Sequence, residues 1–227
     1  MIIVIKKEKY LQDVDNGGKM KKNKIILFDW GNIVESHMTG YSCYDAWDDL
    51  FKKCGYTGDD VILKEIGKYN ICTISSISEF ESVFNKISID YNFNKTFNEF
   101  IKLYREIFDR IDYYRDVAKY EVSLKNRCYI GILSDLTLFD KERLDKQVGL
   151  SNYDYVFLSY ELGIKKPDIR VFKTVQDRLP FKPSDILFID DRIDNIESAS
   201  KIGWNVLHTT GLELDKIKEV CEEFLKD

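Results

Sequence analysis

The sequence has no long basic run, no apolar stretch long enough to span a bilayer, no Cys-x-x-Cys pair, and no internal repeat or low-complexity tract. Each absence removes a class of function. Basic residues are scattered through a chain of formal net charge -5, which argues against nucleic acid or an anionic membrane as the main partner. With neither a membrane-length apolar segment nor a charged start leading into a long apolar run, the chain reads as cytoplasmic. The five cysteines, Cys43, Cys54, Cys72, Cys128 and Cys221, are odd in number. Reduced, mostly buried thiols are therefore expected, not a disulfide framework or a zinc site. The two histidines, His37 and His208, lie far apart without metal-ligand spacing and read as structural.

What remains suits a globular enzyme. The 227 residues, 44% hydrophobic and 32% charged, can bury a full core and fit one catalytic domain carrying a smaller insert. Residues 1–19 read differently, as a polar extension without clear periodicity that ends just before Met20. They are expected to be either a segment preceding a native start at Met20 or a flexible arm.

Short apolar runs recur, most of them followed at once by polar residues. Ile25 to Phe28 leads to Asp29, Tyr129 to Leu133 to Ser134, and Ile186 to Ile189 to Asp190 and Asp191. Tyr155 to Leu158 leads into the loop from Gly163 to Pro167, and Asn205 to His208 forms a fifth run. Continuous runs of this length read as strands buried on both faces. Between them, Pro167 suits a first helical position, and Asp194 to Ile202 reads as a helix stopped by Gly203. The alternation predicts an α/β fold, a Rossmann-like parallel sheet with helices on both faces and its ligand at the carboxyl ends of the strands. The block from His37 to Asp112 is instead helical and aromatic. Ser78 with Glu81 and Thr96 with Glu99 fit capping boxes there, and Phe97, Phe100, Ile101, Tyr104, Ile107, Phe108 and Ile111 share one apolar face. The expected organisation is a core of 20–36 and 113–227 with a helical cap of 37–112 inserted over the site.

Phe28-Asp29-Trp30-Gly31-Asn32-Ile33-Val34 resembles the first motif of the haloacid dehalogenase-like hydrolases. Ile132-Leu133-Ser134-Asp135 resembles their second, Gly163-Ile164-Lys165-Lys166-Pro167-Asp168 their third, and Phe188 to Ile196 their fourth. The order and spacing match from about Lys24 to Leu207, with the insert where that family places its helical cap. The resemblance implies Asp29 as a nucleophile that forms an aspartyl-phosphate, with Ser134 and Lys166 holding the phosphoryl group. It also implies a magnesium ion (Mg2+) held by Asp29, the Gly31 carbonyl and Asp191. Asp190 would orient the metal's waters and Lys166, with Asn195 and Asp194 bracing the fourth loop. Lys165 is expected at the surface, although the residues alone do not separate it from Lys166.

Two positions depart from the pattern. Phosphatases of this superfamily usually carry a second aspartate two places after the nucleophile, where this chain has Gly31. Asp-x-Gly-Asn resembles a bacterial subgroup that includes a glucose-1-phosphate phosphatase. Glu35, His37 and Asp135 are the candidate replacements for the missing proton donor. Asp135 itself stands where asparagine is common, so its charge must turn away or be neutralised. The expected function is a magnesium-dependent phosphatase acting on a small phosphorylated metabolite such as a sugar phosphate. The alternatives are a 2-haloacid dehalogenase, which would not need so acidic a fourth motif, and a non-catalytic binding protein, which would not need Asp29, Ser134, Lys166 and Asp191 together. In the cap, Tyr41, Tyr44 and Trp47 are the candidate substrate contacts.

Overall fold

The computed structural model describes residues 22–36, 40–58 and 67–226. The extension 1–19 and His37 lie outside them. Five parallel strands, β1 (Ile25–Phe28), β2 (Tyr129–Ser134), β3 (Tyr155–Leu158), β4 (Ile186–Asp190) and β5 (Asn205–His208), form one sheet in the order β3-β2-β1-β4-β5. The first strand is central, with β2 on one side and β4 on the other. The chain therefore reverses its direction of travel beside β1, and that is where a doubly wound sheet opens its crevice.

The apolar runs are continuous because each face of the sheet needs its own half of them. Ile26, Phe28, Ile130, Ile132, Leu187 and Ile189 point into one cluster. Val117 of helix α4 (Arg115–Ser123), Leu144 of α5 (Lys141–Val148) and Ile217 of α9 (Leu214–Phe224) cover that face. Ile25, Leu27, Leu133, Ile186 and Phe188 point the other way. They meet Phe172 of α7 (Ile169–Arg178) and Ala199 of α8 (Ile193–Ser200), and the short α6 (Ser159–Leu162) follows β3. Gly131 interrupts β2 because a Cβ there would come within 2.8 Å of the Leu27 side chain and 2.9 Å of the Tyr155 carbonyl oxygen.

Between β1 and β2 the chain builds a helical domain with a separate core. Its helices are α1 (Cys43–Lys53), α2 (Ile77–Asp90) and α3 (Phe97–Phe108). Thr96 and Glu99 form the expected reciprocal capping box, and Phe97, Phe100, Tyr104, Ile107 and Phe108 are buried along α3. Side chains of this size contribute roughly 1.5–3 kcal/mol each on burial, which outweighs the modest intrinsic preference of aromatics for helix. Phe139, from the loop after β2, inserts into this aromatic cluster, and the neighbouring Leu138 packs against both this cluster and one of the sheet.

Two helix starts differ from the sequence reading. Helix α2 begins at Ser76, which accepts the Glu79 amide at 3.2 Å, two residues before the expected Ser78. Both serines have the same spacing to a glutamate, and the earlier start adds helical hydrogen bonds while keeping Phe80, Phe84 and Ile87 on one face. Pro167 is not the first residue of α7 either. Asp168 is its N-cap, with its carboxylate accepting the Arg170 amide at 2.9 Å, and it leaves Pro167 outside the helix.

The described cysteines are free, and among the described residues no helix is long and apolar enough to cross a membrane.

One buried carboxyl is exceptional. Glu121 of α4 is fully buried, accepts the Tyr153 hydroxyl at 2.6 Å on Oε2, and has no partner for Oε1 among the described residues. Burial pushes its pKa up from 4.5 to about 8, against the opposing hydrogen bond from Tyr153. Below 4.5 the group is neutral whether the chain is folded or not, so its stabilising effect is fully present there. As pH rises towards 8 only the folded state holds the proton, and stability falls by an amount on the order of a few kcal/mol. Urea denaturation across this range is expected to show that decline in the wild type and a flatter profile in Glu121→Gln. Parallel profiles would refute the assignment.

Candidate active site

The strand register assembles the site before any side chain is considered. Phe28 is level with Ile132 on β2 and with Ile189 on β4. Asp29 therefore emerges beside Asp190 and one step short of Ser134, with neighbouring strands about 4.8 Å apart. The Asp29 amide continues the ladder by donating to the Ile189 carbonyl at 2.8 Å. Asp29, Ser134 and Asp190 all have 7% exposure or less, so three polar residues sit at the rim of an apolar sheet.

Lys166 makes this arrangement tenable. Its ammonium lies 2.9 Å from Asp29 Oδ1 and 2.7 Å from Asp190 Oδ2, and donates to the Leu133 carbonyl at 3.0 Å. Burial alone would lower its pKa, but Asp190, Asp29 and Asp135 together hold it above the ordinary lysine value, so the charge persists. Of the two adjacent lysines, Lys166 is the buried one and Lys165 is half-buried.

Each carboxylate has distinct partners. Asp190 uses both oxygens within the protein: Oδ1 accepts the Arg192 amide at 2.8 Å and Asn195 Nδ2 at 2.9 Å, while Oδ2 accepts Lys166 and the same Asn195 nitrogen at 2.9 Å. Asp29 Oδ1 accepts the Trp30 amide at 2.7 Å, and Oδ2 has no protein partner among the described residues. Asp191 is half-buried and receives Asn32 Nδ2 at 3.0 Å on Oδ2. Oxygens of Asp29, Asp190 and Asp191 lie within 4.8 Å of one another.

The donor set fits a hard divalent cation. It is made of oxygen only, carries more negative charge than Lys166 cancels, and leaves an oxygen of Asp29 and one of Asp191 unused by the protein. Asp190, saturated by its neighbours, is placed as a brace. Gly31 lies in the same loop two residues beyond Asp29 and has only its backbone to offer.

The other expected residues divide. Asn195 is buried against Asp190, whereas Asp194 is exposed in the first turn of α8 and makes no contact with the cluster. Asp135 turns toward the Lys166 loop, accepting that residue's amide at 3.1 Å, and burial raises its pKa while Lys166 opposes the shift. Its charge is thereby directed at the lysine. Glu35 is no free proton donor, because it is buried against Arg143 and accepts the Trp30 indole N–H at 3.2 Å. Trp47 packs edge-on against Tyr104 and Phe108, Tyr41 gives its hydroxyl to Asp49 at 2.6 Å, and Tyr44 is 54% exposed. Trp47 is thus a packing residue of the helical core.

Asn32 was given no role from sequence. Its backbone takes a left-handed φ of +56°, and its side chain steadies Asp191. The signal was present, since asparagine tolerates that conformation better than other side-chain-bearing residues.

The structure is thus a doubly wound α/β protein with an inserted helical domain and an acidic cluster at the switch point of its parallel sheet. Residues 43–209 match the model of the haloacid dehalogenase-like hydrolases, and the chain belongs to that family. Among curated proteins, it is similar to a drimenol cyclase of Aspergillus calidoustus, 25% identical over 184 residues, covering 78% of this chain and 31% of that protein. A sesquiterpene phosphatase of Aspergillus oryzae is 29% identical over 58 residues, 26% of this chain and 30% of that protein. The chain thus spans about a third of the length of the curated relatives it matches. Two solved structures share the fold. A haloacid dehalogenase family enzyme from Bacteroides thetaiotaomicron, in complex with magnesium and inorganic phosphate, has a TM-score of 0.66 at 18% identity, covering 84% of this chain and 95% of that one. An L-2-haloacid dehalogenase from Xanthobacter autotrophicus has a TM-score of 0.59 at 15% identity, covering 82% of this chain and 77% of that one.

Removing the Lys166 ammonium leaves the Asp29 and Asp190 carboxylates side by side with no cation between them. Lys166→Met is expected to lose about 3–5 kcal/mol of stability, and adding Asp190→Asn should recover part of it. Urea titrations of both variants test this, and a double variant no more stable than Lys166→Met would contradict it.

Proposed function

We propose that this chain is a magnesium-dependent phosphatase acting on a small phosphorylated metabolite through an aspartyl-phosphate on Asp29. The observation that carries the reading is the oxygen-only cluster of Asp29, Asp190 and Asp191 built around the buried Lys166. Such an excess of negative charge suits a cation that in turn attracts phosphate, and it would repel a haloacid carboxylate. The likeness of part of the chain to a sesquiterpene phosphatase supports the same direction.

Asp29, the Gly31 carbonyl and Asp191 would hold the ion, whose chemistry when bound is to neutralise phosphoryl charge beside the nucleophile. Asp29 Oδ1 is fixed by the Trp30 amide and Lys166, so the carboxylate is held in place for attack. Its lone pair forms a bond to phosphorus as the ester P–O bond breaks, and the leaving oxygen departs with the electron pair. Water then attacks the same phosphorus, the P–O bond to Asp29 breaks, and inorganic phosphate is released. Ser134 would donate to one phosphoryl oxygen and Lys166 would neutralise another. Asp190 and Asn195 keep the lysine aimed.

Gly31 offers no proton to the leaving group, and Glu35 is already engaged. Acid catalysis is typically worth about 100- to 10,000-fold, so the reaction should favour groups that leave readily without it. Anomeric sugar phosphates and acyl phosphates are therefore the expected substrate classes. We further propose that residues 37–112 form the cap that selects among them.

Phosphate release from an activated aryl phosphate should require magnesium, stop with chelator, and fall by at least about 1,000-fold in Asp29→Asn. No release from any phosphate, together with halide release from a 2-haloacid, would replace this reading with the dehalogenase one. Within a panel of phosphate esters, anomeric sugar phosphates are expected to turn over faster than simple alkyl phosphates. The reverse order would show that another group supplies the proton.

A further inference from the structure

A line of buried polar groups runs from the inserted helical domain to the loop that carries Asp29. Tyr104, on the buried face of α3, donates its hydroxyl to Asp140 Oδ1 at 2.9 Å and lies 3.0 Å from Thr137 Oγ1. Asp140 Oδ2 accepts the amide and the hydroxyl of Thr137, both at 2.8 Å. Arg143 Nη2 donates to that same Asp140 Oδ1 at 2.9 Å, and its other terminal nitrogen pairs with Glu35 Oε2. The same Glu35 oxygen accepts the Trp30 indole N–H at 3.2 Å. Trp30 closes the line, since its amide holds Asp29 Oδ1 at 2.7 Å.

Every member is buried, none by less than 95%. In so dry a setting hydrogen bonds polarise one another, and a change at one end is not absorbed by solvent. Stability alone does not account for the arrangement, because buried ion networks are often matched or bettered by apolar packing. The sharing of atoms is what matters here. Asp140 Oδ1 is divided between Tyr104 and Arg143, and Glu35 Oε2 between Arg143 and Trp30. Losing the Tyr104 donor leaves Asp140 Oδ1 to the guanidinium alone, which draws Arg143 away from Glu35 and loosens the anchor of the Trp30 indole. The Phe108 ring, also on α3, lies 5.9 Å from the same guanidinium, so one helix of the inserted domain addresses Arg143 twice.

We propose that Tyr104 is a positioning residue for Asp29, acting through Asp140, Arg143, Glu35 and Trp30, so that the attacking carboxylate is correctly held only while the helical domain is seated on the loop after β2. This rests on the reading of Asp29 as the nucleophile.

The test pairs kinetics with a structural readout that needs no turnover. Steady-state phosphate release and the indole 1H–15N resonance of Trp30, assigned with Trp30→Phe, are measured in wild type, Tyr104→Phe, Arg143→Lys and Tyr56→Phe. The last removes a hydroxyl from the same helical cluster but outside the line. Misplacement of a reacting group by a fraction of an ångström costs on the order of tenfold or more in turnover. Tyr104→Phe and Arg143→Lys are therefore expected to lower kcat about tenfold with KM within twofold, and to shift the Trp30 indole resonance. Tyr56→Phe should change neither. Unchanged kcat in Tyr104→Phe overturns the proposal, as does a fall in kcat with the Trp30 resonance in place, or a rise in KM alone. Should the wild type release no phosphate, the proposed function fails. The resonance then decides the coupling by itself: a shift in Tyr104→Phe and Arg143→Lys upholds it, and a fixed resonance ends it.

Discussion

The ammonium of Lys166 is the interaction on which the rest of the site depends. Asp29, Asp135 and Asp190 all raise its pKa, and two of them lie within 2.9 Å of its nitrogen. Carboxylates at adjacent strand ends repel each other, and without a cation between them the register that brings Asp29 beside Asp190 would be unfavourable. The lysine therefore serves the fold before it serves chemistry. Its position also sorts the acids by role: Asp190 is consumed as a brace, while Asp29 and Asp191 keep oxygens to spare.

The arrangement divides labour between rigid and adjustable parts. Ser134 and Asp190 end parallel strands packed from both faces and Asp29 directly follows another, where displacement would disturb two apolar clusters at once. Lys166 and Asn32 come from loops and are steadied by hydrogen bonds to strand-end groups. The helical domain is joined to these parts at a few points. Its aromatic core takes in Phe139 and touches Leu138 from the loop after β2, and it also meets the sheet domain through the Tyr104 hydroxyl and through Ser159, whose hydroxyl donates to the Cys72 carbonyl at 2.5 Å.

The sheet and the acidic cluster were legible in the sequence because both follow from short, local patterns. A four- or five-residue apolar run ending in Asp29 or Asp190 states its own burial and its own strand end. The preference for Lys166 over Lys165 came from resemblance, and the structure brings Lys166 into the cluster. What could not be read were contacts between distant segments. Glu35 and Arg143 are 108 residues apart, and Tyr104 and Asp140 are 36 apart. Nothing in the neighbourhood of Glu35, Asp140 or Arg143 marks it as buried and paired, since charged residues are ordinarily found outside. Helix starts were misjudged for the opposite reason. At Ser76 and Ser78 the local signal was duplicated, and only the extent of packing chooses between copies.

The two ends of the insertion meet. Tyr114 donates to the Val34 carbonyl at 2.7 Å, Ser36 to the Asp112 carbonyl at 2.8 Å, and Asp112 to the Tyr41 carbonyl at 3.0 Å. Entry and exit thus form a narrow paired stem, and everything beyond it is, to the sheet, a single closed loop. The entropy of closing such a loop rises only with the logarithm of its length, by roughly 0.6 kcal/mol per doubling. The length of the helical unit therefore weighs little on the sheet, whereas its contacts to Phe139, Asp140 and Ser159 would have to be supplied again by any replacement. The same stem anchors both ends of the insertion beside β1, so the insertion is free to vary in length but not in where it starts and finishes.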